Sequence, residues 1–408
     1  MRFQARSITA FFCAWLTFVA TMPARDIHVG TDVKTIHEAI KLAQAGDTIH
    51  LQPIVYRDYA GFYGKKGEPG KPITLDGHGA TLEGSDAIDP AKWKEESPGL
   101  FANDELLSRL DDAIIQRWFF LWNGKMNHMG RTSKGRSAPL KKPEELQAGE
   151  WTFVKAPPRP DAKPQQIYGR FFLKLLAGQK LADANIAAPM RSAGVQMSGD
   201  NTHLVIRNLT ATHPYNDGFN IHGDCRDVVF ENIRAIECGD DGISAHESAE
   251  YRVDGFVSIG NSTGITDTVE AHTSYNRVFL ADNVGFDLFF LDNGRYKLTN
   301  AVVLSSSQSP FSLTGREDKH AELTMDNVLI RRVGQHSSPA QVAKTAMLTA
   351  TRLTIENLPL DARGEVKFEN CLINGKAMPE GSNATGADKA KLIRELVPAE
   401  YQVKFITP

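Results

Sequence analysis

A repeat of about 24 residues in the second half of the chain constrains its fold more than any other feature. Residues 205–209 (VIRNL) recur 24 positions later as residues 229–233 (VFENI), and weaker copies continue to residues 366–371. A second pattern runs out of phase with the first and starts at four glycines, Gly218, Gly242, Gly264 and Gly285. Short alternating strands with this period predict coils that stack into a right-handed parallel β-helix, an all-β solenoid.

Asparagines recur at the end of the first strand pattern. We expect them to stack at one corner of the solenoid, where side-chain amides can bond along the ladder. They are Asn208, Asn232, Asn327, Asn357 and Asn370. A leucine-rich repeat has a similar period, but it needs a fixed leucine ladder that this sequence lacks.

The pattern divides the 408-residue chain into five segments. Residues 1–24 combine two basic residues, a short apolar run and a small residue at the end, which predicts a signal peptide and a secreted or periplasmic location. Residues 25–87 are expected to form a capping helix and the first coils, and residues 190–378 the main coils. The coil period is lost in residues 88–189, which we interpret as an inserted β-rich lobe. Residues 379–408 are expected to form a tail that covers the last coil.

The charge balance of the chain is close to neutral, with 46 basic and 49 acidic side chains. This balance indicates neither a nucleic-acid partner nor, once the signal peptide is removed, a membrane partner. The lobe contains a basic loop at residues 131–142. Three cysteines remain after the signal peptide, and we interpret Cys225, Cys238 and Cys371 as free or buried thiols.

Acidic residues concentrate where two successive coils are expected to stack. With an offset of 24 residues, Asp217 lies over Asp241 and Asn216 over Asp240. Neighbouring strands are about 4.8 Å apart, so three carboxylates would gather there and raise one another's pKa. Such mutual pKa shifts leave a protonated carboxyl group beside an ionised one, that is, an acid beside a base. Carboxyl groups about 6.5 to 9.5 Å apart suit inverting glycoside hydrolysis. A structural turn is the alternative role for each aspartate taken singly.

Four polar side chains follow the aspartates on the same strands. The apolar residues of these strands take the inward parity, so Asn220, Ser244, His222 and His246 are expected to point outward. Asn220 lies over Ser244, and His222 over His246. We interpret His246 as a catalytic candidate and the other three as substrate-binding candidates.

The aspartate motifs resemble those of the polygalacturonases, hydrolases of the pectate-lyase-like β-helix superfamily. That family carries Asn-x-Asp-Gly on one coil, Asp-Asp on the next and later Arg-x-Lys. The resemblance implies that Asp240 is the general acid, protonated near neutral pH, and that Asp217 and Asp241 hold the attacking water. It also implies that Arg295 and Lys297 bind the carboxylate of an acidic glycan. The protein would then be a monomeric, polysaccharide-cleaving enzyme that needs no cofactor.

The sequence departs from the family at two points. The family's Gly-His-Gly coil reads STG here, at residues 262–264, so its histidine is missing. The asparagine also directly precedes Asp217 instead of standing two positions before it. We regard His246 as the candidate to replace the missing histidine.

Two other functions use these residues differently. A polysaccharide lyase would bind Ca²⁺ through clustered carboxylates and abstract a proton from a uronate. Its metal ligands would be Asp217, Asp240, Asp241 and Glu247, and its candidate bases His246, Tyr275 and Arg277. A non-catalytic glycan-binding solenoid would present only a sugar platform, for which the candidates are Trp118, Trp122 and Trp151.

Overall fold

The computed structural model describes residues 23–106, 111–158, 160–161, 163, 166–317 and 320–406. All but the last two residues of the predicted signal peptide lie outside these ranges. Helices are few in the described residues: α1 (Ile36–Leu42), α2 (Asp112–Gln116), α3 (Lys389–Leu396), α4 (Ala399–Ile406) and 3₁₀ turns at Pro90–Lys92, Pro143–Glu145 and Leu181–Ala184. None of these described helices has the length and apolar character needed to cross a membrane.

The chain enters the solenoid through α1. The Thr35 hydroxyl accepts a hydrogen bond from the backbone N of Glu38, whose side chain accepts one from the backbone N of Thr35. This capping box satisfies two donors that the first helical turn leaves free. The buried face of α1 packs into the main core, so the helix closes one end of it, as predicted. The first strands are β1 (Asp26–His28), β2 (Thr48–His50), β3 (Val55–Tyr56), β4 (Ala60–Tyr63) and β5 (Ile73–Glu83).

The chain then leaves the solenoid and forms the predicted β-rich lobe, which contains two antiparallel four-stranded sheets. Its core is aromatic: Trp118 stacks on Phe171 at 5.1 Å between ring centroids, and Trp118 and Trp151 are buried. These two tryptophans therefore stabilise the lobe and form no sugar platform. The strands are β6 (Ser85–Ala87), β7 (Lys94–Ser97), β8 (Leu100–Asn103), β9 (Phe120–Trp122), β10 (Lys125–Asn127), β11 (Trp151–Lys155), β12 (Gly169–Lys174) and β13 (Ala187–Pro189).

In the main coils, short and long strands alternate. The strands of the first coils are β14 (Val195–Ser198), β15 (Thr202–Thr212), β16 (Phe219–Ile221), β17 (Arg226–Ile236), β18 (Asp241–Ala245), β19 (Glu250–Ile259), β20 (Thr263–Asp267), β21 (His272–Ala281) and β22 (Phe286–Leu291). Those of the later coils are β23 (Arg295–Ser305), β24 (Ser309–Thr314), β25 (Ala321–Arg332), β26 (Ala340–Val342), β27 (Ala346–Glu356), β28 (Leu360–Ala362), β29 (Glu365–Glu369), β30 (Cys371–Ile373) and β31 (Lys376–Met378).

The strands stack into two sheets whose coil strands all pair in parallel. The long strands form one 14-stranded sheet with β1, β2 and the strands at the far end, and the short strands form a nine-stranded sheet from β4 to β28. Leu204 pairs with Val228, which pairs with Tyr251, so successive coils advance by 24 and then 23 residues. The predicted β-helix fold is confirmed, and one continuous apolar core runs through the interior of the coils.

Each long strand of the main coils has a residue with positive φ at an equivalent position, which forms a row along the sheet. Asn208 and Asn232 occupy this row with φ of 55° and 50°, and Asn300 and Asn327 occupy it further along with 48° and 56°. The amide of Asn327 donates to Asn300 over 2.8 Å, and that of Asn232 to Asn208 over 3.4 Å. Asparagine tolerates this backbone conformation better than most residues, which explains its recurrence. Asn357 also has positive φ, but it follows the end of β27 and lies outside the row.

The C-terminal helices lie against the outer face of the long sheet, and not over the last coil, where the sequence predicts them. Leu392 of α3 belongs to a small apolar cluster with Phe279 and Leu304 of β21 and β23. At the end of the solenoid, β30 instead turns back and pairs with β31 in antiparallel orientation. The three cysteines of the described residues are free and buried, as predicted.

Candidate active site

The three aspartates lie together at the corner between the long sheet and the short sheet. Asp217 precedes β16, and Asp240 and Asp241 stand at the start of β18 one coil later. The backbone N of Asp240 donates to Asn216 O over 2.9 Å, and that of Asp241 donates to the Asp217 carboxylate over 3.1 Å. The predicted stacking is therefore confirmed. One oxygen from each carboxylate lies within 4.8 Å of the others.

Asp217 is held by the coil that stacks on it. Its carboxylate accepts a hydrogen bond from the Ser244 hydroxyl over 2.7 Å, besides the one from Asp241 N. The side chain is buried, and this burial, together with the negative charge of Asp240, raises the pKa of Asp217 to about 6. Asp217 is thus able to hold or release a proton in the weakly acidic range.

A lysine of the lobe bridges the other two aspartates. Lys134 Nζ lies 2.9 Å from Asp240 Oδ1 and 2.5 Å from Asp241 Oδ1. Its side chain is only 19% exposed. Burial opposes the ammonium form, but the adjacent carboxylates outweigh burial and raise the pKa of Lys134, so it stays charged.

Asp240 is the most strongly paired member of the three. The Arg117 guanidinium donates to Asp240 Oδ2 over 2.7 Å, and the Ser133 hydroxyl donates to Oδ1. Burial favours the protonated form, but the charges of Lys134 and Arg117 outweigh it and lower the pKa of Asp240 below its usual value. Asp240 therefore stays ionised, which is the reverse of the prediction that it holds the proton of a general acid.

Asp241 accepts hydrogen bonds from Lys134 and, over 2.9 Å, from the hydroxyl of Thr266 on β20. Burial and the charge of Asp240 nevertheless raise its pKa well above the usual range. Asp217 and Asp241 are therefore the members of the triad (Asp217, Asp240 and Asp241) whose pKa values favour a bound proton. The sequence predicts perturbed carboxylates at this corner but assigns the proton to the wrong residue, because the cations that decide the order come from the lobe.

The lobe loop that carries Lys134 is docked along the coils from that of β18 to that of β24. The hydroxyls of Thr132 and Ser262 lie 2.5 Å apart. The backbone N of Arg136 donates to the Gln308 side chain, and the Gln308 amide donates to Arg136 O, both over 2.7 Å. This loop covers the triad. The sequence patterns do not predict that Arg117 and Lys134 belong to the site, and the signal for an acidic counterpart is the basic loop at residues 131–142.

The predicted histidine pair is present on the same sheet as the triad. The rings of His222 and His246 stack at 4.1 Å between centroids and 1° between planes. Burial, followed by the neighbouring His222, lowers the pKa of His246 to about 4, so His246 is neutral at physiological pH. Glu247 instead pairs with His222, at 3.2 Å, and lies outside the carboxylate cluster that could hold a metal ion. Its predicted role as a fourth metal ligand finds no geometric support.

Asn220 and Ser244 occupy the outer row between the aspartates and the histidines. Ser244 donates to Asn220 Oδ1 over 3.3 Å as well as to Asp217, and the Asn220 amide donates to Gln196 over 3.2 Å. Both are buried, so they lie outward from the solenoid core yet beneath other side chains. Together they form a row of polar side chains between the triad and the stacked rings of His222 and His246.

The remaining candidates lie elsewhere. Arg295 and Lys297 are exposed on β23 of the long sheet, and the row that holds Arg295 borders a surface cleft of about 540 Å³ together with Glu250 and His272. The triad lies where the short strands begin, whereas Arg295 lies just after the short strand β22 has ended. The two positions are therefore at opposite ends of the short strands. The lyase bases Tyr275 and Arg277 are also elsewhere: Tyr275 is buried in the core beside Asp267, and Arg277 pairs with Asp254.

No protein-family model matches this chain, and no curated protein matches it. Solved structures of similar fold include pectate lyase Pel9A, at 11% identity and TM-score 0.48 over 89% of this chain and 82% of that one. XylC in complex with xylose has 12% identity and a TM-score of 0.45, over 83% of this chain and 70% of that one. A glycoside hydrolase has 10% identity and a TM-score of 0.43, over 93% of this chain and 100% of that one. The likeness is one of fold alone, and it is the strand pairing of the chain itself that identifies it as a parallel β-helix.

Proposed function

We propose that this chain is an exported enzyme that hydrolyses a polysaccharide at the Asp217–Asp240–Asp241 triad. The observation that supports this most strongly is the gathering of three buried carboxylates, one oxygen of each within 4.8 Å of the others. Their environments separate the protonation states, since Asp240 is ionised while Asp217 and Asp241 have raised pKa values. Carboxyl groups whose pKa values are pushed apart provide an acid and a base at the same pH.

The roles within the triad follow from these protonation states. A proton held by Asp217 or Asp241 passes to the glycosidic oxygen as the bond to the sugar breaks. The ionised Asp240 is the group that accepts a proton from the attacking water. The 4.8 Å limit applies to one oxygen of each carboxylate, whereas the roughly 6.5 to 9.5 Å of inverting enzymes separates whole carboxyl groups. The triad therefore supports glycosidic hydrolysis without specifying its stereochemistry.

A second candidate function is polysaccharide elimination with Ca²⁺. Calcium takes oxygen ligands at about 2.3 to 2.6 Å, so two of its ligands can be nearly 5 Å apart, as the triad oxygens are. Asp217, Asp240 and Asp241 would hold the ion, which would neutralise the carboxylate of a uronate. Lys134 opposes this function, because its ammonium already contacts Asp240 and Asp241.

A glycan panel tests both functions. We expect new reducing ends from at least one polysaccharide, without a rise in ultraviolet absorbance and without an effect of chelator. A chelator-sensitive rise in absorbance would support elimination, because elimination creates an unsaturated sugar. Product from none of the glycans would support a non-catalytic, glycan-binding solenoid. The panel should include neutral and acidic polymers, since Arg295 and Lys297, which implied an acidic substrate, lie away from the triad.

A further inference from the structure

We infer that Lys134 is the internal counter-cation of the triad, so that an ammonium of this chain takes the place that a divalent cation would occupy. Lys134 Nζ contacts one oxygen of Asp240 and one of Asp241, at 2.9 and 2.5 Å. Asp217 lies beside them, with one oxygen within 4.8 Å of the others. The lysine therefore bridges two members of the cluster from the position that a shared cation would need.

The charges around the triad distinguish Lys134 from Arg117. Three ionised carboxylates would face two cations, and burial makes such an excess of negative charge costly. Arg117 binds Oδ2 of Asp240 and also Asn216 and the backbone O of Tyr215, so it approaches Asp240 from one side and bridges no second carboxylate. Lys134 alone of the two connects Asp240 to Asp241.

The loop around Lys134 has anchors of its own. Thr132 bonds Ser262, and Arg136 and Gln308 bond each other twice. These contacts do not involve the lysine side chain. Shortening Lys134 therefore leaves the loop attached and opens a small space lined by carboxylate oxygens, which are the ligands that Ca²⁺ prefers.

Calcium titration by calorimetry tests the inference on the whole protein without using activity. We expect no heat of binding from wild type and a measurable heat from Lys134→Ala, whose affinity for Ca²⁺ should be at least about tenfold above the weakest that the titration detects. Two matched variants distinguish the effect of losing the charge of Lys134 from the effect of losing its side-chain volume. Lys134→Arg keeps the positive charge and Lys134→Met fills the volume without it, and we expect neither to bind Ca²⁺. The double variant Lys134→Ala, Asp241→Asn should lose the site again.

Two outcomes would overturn the inference. One is Ca²⁺ binding by wild type that Asp241→Asn abolishes, which would show that the ion displaces the lysine. The other is a folded Lys134→Ala protein, with an unchanged circular dichroism spectrum, that binds Ca²⁺ no better than wild type. Hydrolysis is tested separately by the release of reducing ends, so failure of this inference and failure of the proposed function are distinguishable.

Discussion

Lys134 Nζ lies 2.5 Å from Oδ1 of Asp241, although the two residues are 107 positions apart in the sequence. The lysine belongs to the lobe and the aspartate to the solenoid, so this contact makes the candidate site a joint product of both parts. It also determines which aspartate is ionised, because the ammonium and Arg117 stabilise the charge of Asp240. Changes to either side of this contact should therefore affect activity, while the loop keeps its anchors at Thr132 and Arg136.

Asp240→Asn should destabilise the protein as well as inactivate it. The variant leaves Arg117 and Lys134 buried beside a neutral amide, and removing one partner of a buried ion pair costs about 3 kcal/mol. We expect turnover to fall by about 10²-fold or more. Urea unfolding measures the loss of stability. The control is Asp227→Asn, an exposed aspartate paired with His203 and Arg252, which should change stability by less than about 1 kcal/mol. Equal stability of the two variants would contradict the assigned ion pairs.

The rate should depend on pH through the raised pKa values of Asp217 and Asp241. The pKa of Asp217 in the folded, substrate-free protein is about 6, so the acid is protonated below this value and kcat/KM should fall as the pH rises through it. The midpoint belongs to the coupled pair and not to one residue. Asp217→Asn should abolish or displace this limb, whereas Asp254→Asn, in an exposed pair with Arg277, should leave it unchanged. An unaltered pH profile in Asp217→Asn would remove Asp217 from the acid role.

How much of this arrangement the sequence predicts depends on the range of the interactions. The 24-residue offset places Asp217 over Asp241 and His222 over His246, and both pairs stack as predicted. Stacking follows from local periodicity, which a single sequence displays. No repeat in the sequence determines where the lobe docks on the coils, so the position of Lys134 could not be predicted. The resemblance implies a carboxylate-binding role for Arg295 but could not predict its distance from the triad, since a motif gives sequence order but not the side of the coil.

Glycan access should require the Lys134 loop to open, because the triad aspartates are only 3 to 7% exposed. Ser133 and Ser262 have hydroxyls 3.4 Å apart, so cysteines at both positions should form a disulfide that fixes the loop onto the coil. The oxidised double variant should turn over at least about tenfold more slowly than its reduced form, and reductant should restore it. The native cysteines are buried, and the single variants Ser133→Cys and Ser262→Cys control for any disulfide with a native cysteine. Equal rates in the oxidised and reduced forms would exclude opening of this loop.

Arg295→Ala and Lys297→Ala should leave turnover within about twofold of wild type, because exposed side chains away from the site change little. Steady-state kinetics on an acidic and a neutral glycan checks this. A rise in KM of about tenfold on the acidic glycan alone would instead return these residues to carboxylate binding.

The mass of the products tests the central claim most directly. Mass spectrometry of the oligosaccharides released from the best glycan of the panel distinguishes hydrolysis, which adds a water molecule, from elimination, which does not. Hydrolysis at the triad predicts saturated products from wild type and none from a folded Asp217→Asn, Asp241→Asn double variant. Products lighter by one water molecule, or saturated products that persist in the double variant, would contradict it.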